Sequence, residues 1–291
     1  MIEQRVTHYF LGANSAKGFY SLYGGFCRPE SGVFLWVIKG GPGCGKSSFM
    51  KTIGKAAEQE GLAVEYVWCS GDPDSLDAVY VPAWKTAYAD GTAPHVLEVA
   101  CPAASGLYLD LGRFYDRTAL QPKLAEILAL QHRNRALYRD AYTFLAAAAE
   151  EALPVPEAPA LPDGAAKRFL RAVTCRGLVG FDSVLEDADT LPSPAAAARL
   201  ADSAIRAGYQ VVLAMHPVFP ELPEAVIVPE SGRVCRVDLA ALDERLAPGI
   251  AAAAEKLAQA KLVHDELEAL YNPHVDFEGV YALAKTHALK S

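Results

Sequence analysis

Residues 40–48, Gly-Gly-Pro-Gly-Cys-Gly-Lys-Ser-Ser, are the part of the chain whose residue types and spacing point most clearly to chemistry. They match the phosphate-binding pattern G-x-x-x-x-G-K-S/T. Glycines let successive backbone N–H groups converge on phosphate oxygens, and the N-terminus of a following helix adds positive potential. The predicted nucleotide-binding residues are Gly40, Gly41, Pro42, Gly43, Cys44, Gly45, Lys46, Ser47 and Ser48.

Two side chains of this segment have predicted roles in a site for ATP and Mg²⁺. The Lys46 ammonium would reach the β- and γ-phosphates, and the Ser47 hydroxyl would bind the magnesium ion. We expect ATP because no guanine-specifying N-K-x-D motif is present. Cys44 occupies a variable position of the pattern, and we interpret its thiol as a packing group.

A magnesium site of this type needs a carboxylate at the end of a neighbouring strand. Asp90 ends the short semi-apolar run 86–90 and is followed by Gly91. We find no better hydrophobic strand ending in Asp in the first half of the chain, so we predict that Asp90 is a metal-binding and catalytic residue. The alternative is an ordinary Asp-Gly turn at the end of a strand.

Two further candidates are loop residues. Asp72 is a predicted catalytic residue, because it or Asp74 could orient a water or a substrate hydroxyl; equally, Asp74 and Ser75 could cap a short helix. His95 could sense the γ-phosphate, although we favour its interpretation as an ordinary loop histidine.

The elements that must position these residues are those of an α/β fold. The apolar run 33–38 predicts a buried central strand, the spacing of Phe49, Met50 and Ile53 predicts an amphipathic helix, and 63–69 predicts a second strand. Together they predict a βαβ unit in a parallel sheet of the P-loop NTPase type with flanking helices. Further strands are predicted at 78–81 and 86–89, and a long helix at 122–149.

The chain also contains a weak internal repeat. Residues 10–19 align without gaps with 169–178, and residues 61–82 align with 208–229. We interpret this as an internal duplication. The second copy has no P-loop and no strand like 33–38, so we expect it to lack the central strand of its own sheet. In that place stand residues 189–194, followed by an alanine-rich helix.

The domain limits follow from these repeats and from a proline-rich segment. We predict a nucleotide-binding domain at 1–151, a linker at 152–165 and a degenerate repeat at 166–291 that ends in helices. The linker is predicted because residues 152–164 contain four prolines and one glycine. The last helix is expected to begin after Asp276 and to end near Leu289.

The composition excludes several classes of protein. The 291 residues carry a net charge of −8, which argues against nucleic acid or an anionic membrane as a partner. Hydrophobic residues make up 52%, which excludes wholesale disorder. No signal-peptide pattern or membrane-length apolar run is present, so we expect a cytoplasmic protein. The six scattered cysteines are expected to be reduced thiols.

Several strings resemble a poorly characterised bacterial family of predicted ATPases with a duplicated P-loop-type domain. They are residues 9–22, the P-loop, 69–77, 90–95 and, more weakly, 264–268 with Asp276 and Phe277. The resemblance covers most of 7–150 and, less closely, 166–288. It implies ATP binding through Gly40 to Ser48 and ATP hydrolysis. Longer members carry a P-loop in each half, whereas this chain has none in its second copy.

Three functions are consistent with the sequence. We favour a Mg²⁺-dependent ATPase that couples nucleotide binding or hydrolysis to a conformational change. The alternatives are a small-molecule kinase, in which residues 72–77 place an acceptor hydroxyl, and a non-catalytic nucleotide-sensing scaffold. A kinase should have a basic lid, and few Lys or Arg residues lie between Asp90 and Arg113. The expected partners are a nucleotide and a small molecule or protein of unknown identity, with a homo-oligomer as a further expectation.

Overall fold

Within residues 6–289, which the computed structural model describes, the chain alternates short strands with helices. The predicted domain limits at residues 1 and 291 fall outside this range. The strands are β1 (Val6–Phe10), β2 (Gly12–Ser15), β3 (Gly18–Ser21), β4 (Phe34–Lys39), β5 (Val64–Trp68), β6 (Leu76–Val81), β7 (Thr86–Asp90), β8 (Gly106–Asp110), β9 (Ala166–Arg168), β10 (Arg171–Thr174), β11 (Gly177–Gly180), β12 (Asp189–Leu191), β13 (Val212–Met215), β14 (Pro223–Val228) and β15 (Arg233–Val237). The α-helices are α1 (Lys46–Gln59), α2 (Arg117–Leu120), α3 (Leu124–Glu151), α4 (Pro194–Arg206), α5 (Ala240–Tyr271) and α6 (Phe277–Leu289).

The expected α/β class is confirmed, but the first sheet is mixed rather than parallel. Its strand order is β1-β5-β6-β7-β4-β8, with β4 parallel to both β7 and β8. Strand β6 runs antiparallel to β5 and to β7. A parallel neighbour needs a crossover of a dozen or more residues, and the turns 69–75 and 82–85 are too short for one. The predicted βαβ unit therefore exists as β4-α1-β5, with β6 and β7 lying between its two strands.

Helix α1 packs its apolar face on this sheet. Phe49, Met50 and Ile53 are completely buried there, as the 3.6-residue spacing predicts. Each such side chain contributes roughly 1.5–3 kcal/mol on burial. Val280 and Ala284 of α6 belong to the same core. These contacts fix the N-terminus of α1 at the carboxyl end of β4.

The second sheet has the strand order β9-β13-β14-β15-β12. Strand β12 is parallel to β15, and β14 is antiparallel to β13 and β15. This order matches β1-β5-β6-β7-β4 strand for strand, as an internal duplication requires. The second copy was expected to lack its central strand; a short strand, β12, does occupy the place of β4, but it lies at the edge of the sheet. It was missed because it has three residues and begins with Asp189 and Thr190.

Two hairpins, β2-β3 and β10-β11, link equivalent positions of the two repeats. The backbone N–H of Phe10 donates to the carbonyl of Phe169 at 2.8 Å, and that of Phe169 donates back to Phe10 at 2.9 Å. The side-chain amide of Asn14 donates to the carbonyl of Val173 at 2.8 Å. The two residues of each contact are 159 positions apart, which is the offset of the sequence repeat. Equivalent positions of the two hairpins therefore contact each other, as they do across the two-fold axis of a symmetric dimer.

The chain divides into two compact units. Among the described residues, unit 1 comprises 6–8, 26–137 and 259–289, and unit 2 comprises 9–25 and 138–258. These limits differ from the predicted domains in two respects. The irregular proline-rich segment lies inside unit 2, and the C-terminal residues from 259 onward belong to unit 1. Within residues 6–289, no helix is long and apolar enough to span a membrane.

Candidate functional site

The loop 40–45 connects β4 to α1 in the position that the sequence predicts. Gly43 and Gly45 have φ values of +68° and +84°, in the left-handed region that favours glycine. A Cβ atom at Gly40 would lie 2.5 Å from the Sγ atom of Cys44, so the loop also packs too closely for a larger residue there. Gly45 is the N-cap of α1 and provides no side-chain hydrogen bond to the helix. The first N–H groups of α1 therefore have no capping side chain.

Lys46 and Asp90 lie together at the carboxyl ends of neighbouring strands. Strand β7 pairs with β4 so that Asp90 is opposite Ile38. The Nζ atom of Lys46 donates to the carbonyls of Gly40 and Gly41, at 2.9 Å each. It also lies 3.6 Å from Oδ2 of Asp90, and both side chains are only 14% exposed.

The other oxygen of Asp90 is fixed by its own loop. Thr92 donates to Oδ1 from its backbone N–H at 2.8 Å and from its hydroxyl at 2.6 Å. These bonds orient the carboxylate so that Oδ2 is directed toward Lys46. The pair is thus an ammonium and a carboxylate beside a loop of backbone N–H groups.

The remaining predicted residues of the loop have structural contacts. The Oγ atom of Ser47 accepts the backbone N–H of Leu76 at 3.0 Å, which ties α1 to β6. The carbonyl of Ser48 accepts the hydroxyl of Thr52 within α1. Cys44 is buried, in agreement with a packing role, and burial raises the pKa of its thiol.

Asp72 is used by its own turn. Its carboxylate accepts the N–H of Asp74 at 3.2 Å and the hydroxyl of Ser75 at 2.9 Å, and Oδ2 lies 3.6 Å from Nζ of Lys261. No described contact joins Asp72 to the loop 40–45 or to Asp90. The turn therefore belongs to the β5-β6 connection. This structural role is closer to the predicted capping role than to a catalytic one, although no short helix forms there.

His95 is buried rather than on an open loop. Its Nε2 atom lies 3.1 Å from Oδ2 of Asp77, and both side chains are 5% exposed. Burial lowers the pKa of His95, but the charge of Asp77 and its hydrogen bond outweigh that effect and leave the pKa above the ordinary value. Neither proposed role of His95 anticipated this pair, because Asp77 is 18 positions away on another strand.

Three residues that sequence reasoning missed lie against the loop. Oε1 of Glu268, near the end of α5, accepts the backbone N–H of Gly43 at 3.2 Å. The hydroxyl of Tyr115 donates to the carbonyl of Pro42 at 2.7 Å. The side-chain amide of Asn272, oriented to satisfy its neighbours, donates to the carbonyl of Gly43 at 3.1 Å. We call these three side chains the loop cover.

The segments that carry the loop cover are joined by backbone hydrogen bonds. The N–H of Asp116 donates to the carbonyl of His274 at 2.8 Å, and the N–H of Asp276 donates to that of Phe114 at 2.9 Å. Asp276 caps α6 by accepting the N–H of Gly279, as predicted. A contact between positions 225 residues apart, such as Gly43 to Glu268, leaves no local signal; the only hint was the resemblance at 264–268.

The charge state of Glu268 suits its contact with a backbone N–H group. A hydrogen bond with His264, 3.4 Å away, lowers the pKa of Glu268, and the N–H of Gly43 lowers it further against the effect of burial. Glu268 is therefore an anion at neutral pH. The loop accommodates an anionic oxygen from its own chain.

Strand β8 provides a carboxylate that the sequence analysis overlooked. It is the second parallel neighbour of β4, and Asp110 at its end pairs in register with Lys39. From the sequence we found no better hydrophobic strand ending in Asp in the first half of the chain, and we did not weigh this one. The run Gly-Leu-Tyr-Leu-Asp at 106–110 carried the signal. Asp110 is exposed, whereas the carboxylate of Asp90 is largely buried beside Lys46.

Comparisons of the chain with protein-family models, with curated proteins and with solved structures returned no match.

Proposed function

We propose that the chain binds ATP with Mg²⁺ through the loop 40–45 and hydrolyses it, as a P-loop NTPase-type protein. The observation that carries the proposal is the glycine loop between a buried strand and an uncapped helix, with Lys46 3.6 Å from Asp90 on the adjacent parallel strand. Backbone N–H groups and an ammonium bind phosphate, and a carboxylate at the neighbouring strand end orients the magnesium shell. The sequence pattern and this arrangement support the same reading.

Each residue of the arrangement has a defined role in this proposal. The N–H groups of the loop and of the first turn of α1 bind phosphate oxygens, and Lys46 leaves the carbonyls of Gly40 and Gly41 to contact the terminal phosphates. Asp90 holds water ligands of the magnesium ion, and the Ser47 hydroxyl is its direct ligand once it is released from Leu76. Phosphate binding at Gly43 competes with Glu268.

That competition provides a route from nucleotide binding to conformational change. A phosphate oxygen and the Glu268 carboxylate cannot both accept the N–H of Gly43 at hydrogen-bond distance, since like charges repel. Binding therefore displaces the end of α5, a helix that begins at Ala240 in unit 2. The engagement of Asp72 with Ser75 and Lys261 argues against its predicted role in orienting either a water or a substrate hydroxyl. Hydrolysis is preferred over the kinase alternative because few Lys or Arg residues lie between Asp90 and Arg113 to form a basic lid.

The test measures ATP binding and turnover with Mg²⁺ for the full chain and for Lys46→Ala, alone and with a panel of metabolites. Lys55→Ala is the matched control, because Lys55 is an exposed lysine on the same helix. We expect binding and turnover in the wild type and the control, and at least about a tenfold loss in K46A, since charged hydrogen bonds contribute roughly 1.5–3 kcal/mol each. No binding by the wild type, or equal binding by K46A, would overturn the proposal. Turnover that requires a metabolite indicates a kinase, and binding without turnover indicates a sensor.

A further inference from the structure

Three side chains with metal-binding atoms converge inside unit 1. Cys69 directly follows β5, Asp77 lies on β6, and His95 lies in the loop after β7. Their sulfur, oxygen and nitrogen atoms all lie within 4.8 Å of one another, and within the described residues no other group of three such side chains does so. Asp77 and His95 are buried, with 4% and 9% exposure. We call these residues the Cys-Asp-His cluster.

The second repeat contains a corresponding cluster at the same positions. Residue 69 aligns with His216 and residue 77 with Glu224 in the gap-free block. His216 is completely buried, and its Nε2 atom lies 3.0 Å from Oδ1 of Asp243. Both repeats therefore place a carboxylate on the equivalent strand, β6 or β14, and a metal-binding or titratable side chain directly after the preceding strand.

In the second repeat, an arginine contacts the carboxylates. In the second repeat, the Arg171 guanidinium lies 2.6 Å from Glu224 and 2.9 Å from Asp243. The position that aligns with Arg171 in the first repeat is Gly12, which has no side chain. A buried carboxylate requires a cation or a set of hydrogen bonds. In the first repeat, Asp77 lies beside His95, with Nε2 of His95 3.1 Å from Oδ2 of Asp77.

We propose that Cys69, Asp77 and His95 bind a divalent transition-metal ion, best matched by Zn²⁺. Thiolate sulfur, imidazole nitrogen and carboxylate oxygen are all established ligand types for Zn²⁺. A tetrahedral ion with bonds of about 2.0–2.3 Å needs ligand atoms roughly 3.3–3.6 Å apart. Because the ligand atoms lie within 4.8 Å of one another, they need to move about an ångström closer together to bind the ion.

The binding step balances in charge and in protons. The ion displaces the proton of the Cys69 thiol, which leaves to solvent, and Cys69 binds as thiolate beside the Asp77 carboxylate and neutral His95. Two anionic ligands neutralise the divalent ion, and the fourth position is available to water. Burial raises the pKa of the Cys69 thiol, and hydrogen bonds from the backbone N–H groups of Asp72 and Gly71 act in the opposite direction.

The test counts metal per chain after the full protein is stripped with a chelator and reloaded with Zn²⁺ or Co²⁺. We expect one tightly bound equivalent, and with Co²⁺ a thiolate-to-metal charge-transfer band in the near ultraviolet. Cys69→Ser, Asp77→Asn and His95→Gln should each weaken binding by at least about tenfold, since even outer partners of metal ligands matter by 10–100-fold. C69S should abolish the charge-transfer band.

Two cysteine variants are matched controls. Cys101→Ser removes an exposed thiol, and Cys235→Ser removes a buried thiol of the second repeat. Both should keep the metal and the band. C69S changes one atom, so a folded C69S by circular dichroism keeps the test decisive even where H95Q unfolds. The cluster would be only a hydrogen-bonded network if the wild type binds no ion, or if C101S loses the ion and C69S keeps it. K46A should retain the ion, which separates this proposal from that of nucleotide binding.

Discussion

The two repeats share a strand order. They differ most at the turn between a strand and the following helix, which is β4 to α1 in the first repeat and β12 to α4 in the second. In the first repeat, six residues join β4 to α1, and the N-cap Gly45 offers no side chain to the helix. In the second, Pro192 and Ser193 join β12 to α4, and the Ser193 hydroxyl accepts the N–H of Ala196 at 3.2 Å. A helix N-terminus that is capped by its own serine has less need of an external anion. The duplicated plan is therefore preserved, and the difference lies in one turn.

The same contrast holds for buried charge. The second repeat balances Glu224 and Asp243 with Arg171, whereas the Cys-Asp-His cluster of the first repeat has a glycine at the position that aligns with that arginine. Burial raises the pKa of Asp243, but the hydrogen bond from His216 and the charge of Arg171 outweigh it, so its pKa lies below the ordinary value. Arg171, Glu224, Asp243 and His216 thus form a connected ionic network in the second repeat.

The largest expected effect comes from breaking this network. Arg171→Met keeps the length of the side chain but leaves Glu224, 4% exposed, without its cation. Removal of one partner from a buried ionic pair costs about 3–5 kcal/mol, so the free energy of unfolding should fall by that amount. Urea denaturation measures it. The control, Arg206→Ala, removes an exposed pair with Asp202 and should cost less than about 1 kcal/mol.

A loss of less than about 1 kcal/mol in R171M would show that the network is dispensable. The contrast between this network and the Cys-Asp-His cluster, which contains no arginine, would then have no consequence for stability. Zn²⁺ bound by the Cys-Asp-His cluster should not restore the free energy of unfolding of R171M, since the two clusters consist of different residues.

Glycine positions provide a second, smaller contrast. Gly43 has a φ of +68°, and a Cβ atom there would lie 2.4 Å from the side-chain amide of Asn272; Gly208 has a φ of +89° and open space around it. The left-handed conformation costs a non-glycine residue about 1–2 kcal/mol, so Gly208→Ala should destabilise by that amount. Gly43→Ala should destabilise by roughly 2–3 kcal/mol, because it also displaces a residue of the loop cover. Equal losses in urea denaturation would contradict the close packing of the cover on the loop.

The sequence predicted the parts of the site that depend on local patterns. The glycine loop 40–45, helix α1 and Asp90 follow from a glycine spacing, an amphipathic face and a strand that ends in Asp, and these residues lie where the patterns indicate. The mixed sheet was missed although the short turns at 69–75 and 82–85 carried the information, because apolar runs alone do not give strand direction. Strand β12 was missed because three residues are too few for a periodic signal.

The remainder could not be read from the sequence, since it depends on contacts between distant positions. Glu268 reaches Gly43 across 225 positions, and Asp77 and His95 meet only because β6 and β7 pair. The assignment of residues 259–289 to unit 1 has the same cause: Val280 and Ala284 contribute to the core around α1. Composition and periodicity describe each helix but not its packing partner.

The smallest expected effect tests whether the loop of the first repeat is blocked by its own chain. Glu268→Gln keeps the shape of the side chain and removes its charge, so ATP should bind roughly three- to tenfold more tightly, because a partly exposed charged hydrogen bond contributes on the order of 1 kcal/mol. Glu266→Gln is the matched control, since Glu266 lies on the same helix and pairs with Arg133 at the surface. Titration with ATP and Mg²⁺ at constant ionic strength measures the change.

The pH dependence of unfolding separates competition between Glu268 and phosphate from a general loosening of the fold. The pKa of Glu268 is held below its ordinary value of 4.5, so its stabilising contribution is present above pH 4.5 and is lost as the pH falls through the folded-state pKa. E268Q should lack that acid-limb loss and E266Q should retain it. Weaker ATP binding in E268Q would mean that the carboxylate assists the nucleotide, and the proposed displacement of α5 would then be wrong. Tighter binding with an unchanged acid limb would place the effect in surface charge, because the contacts of Glu268 with His264 and with Gly43 both lower its pKa and both are changed in the variant.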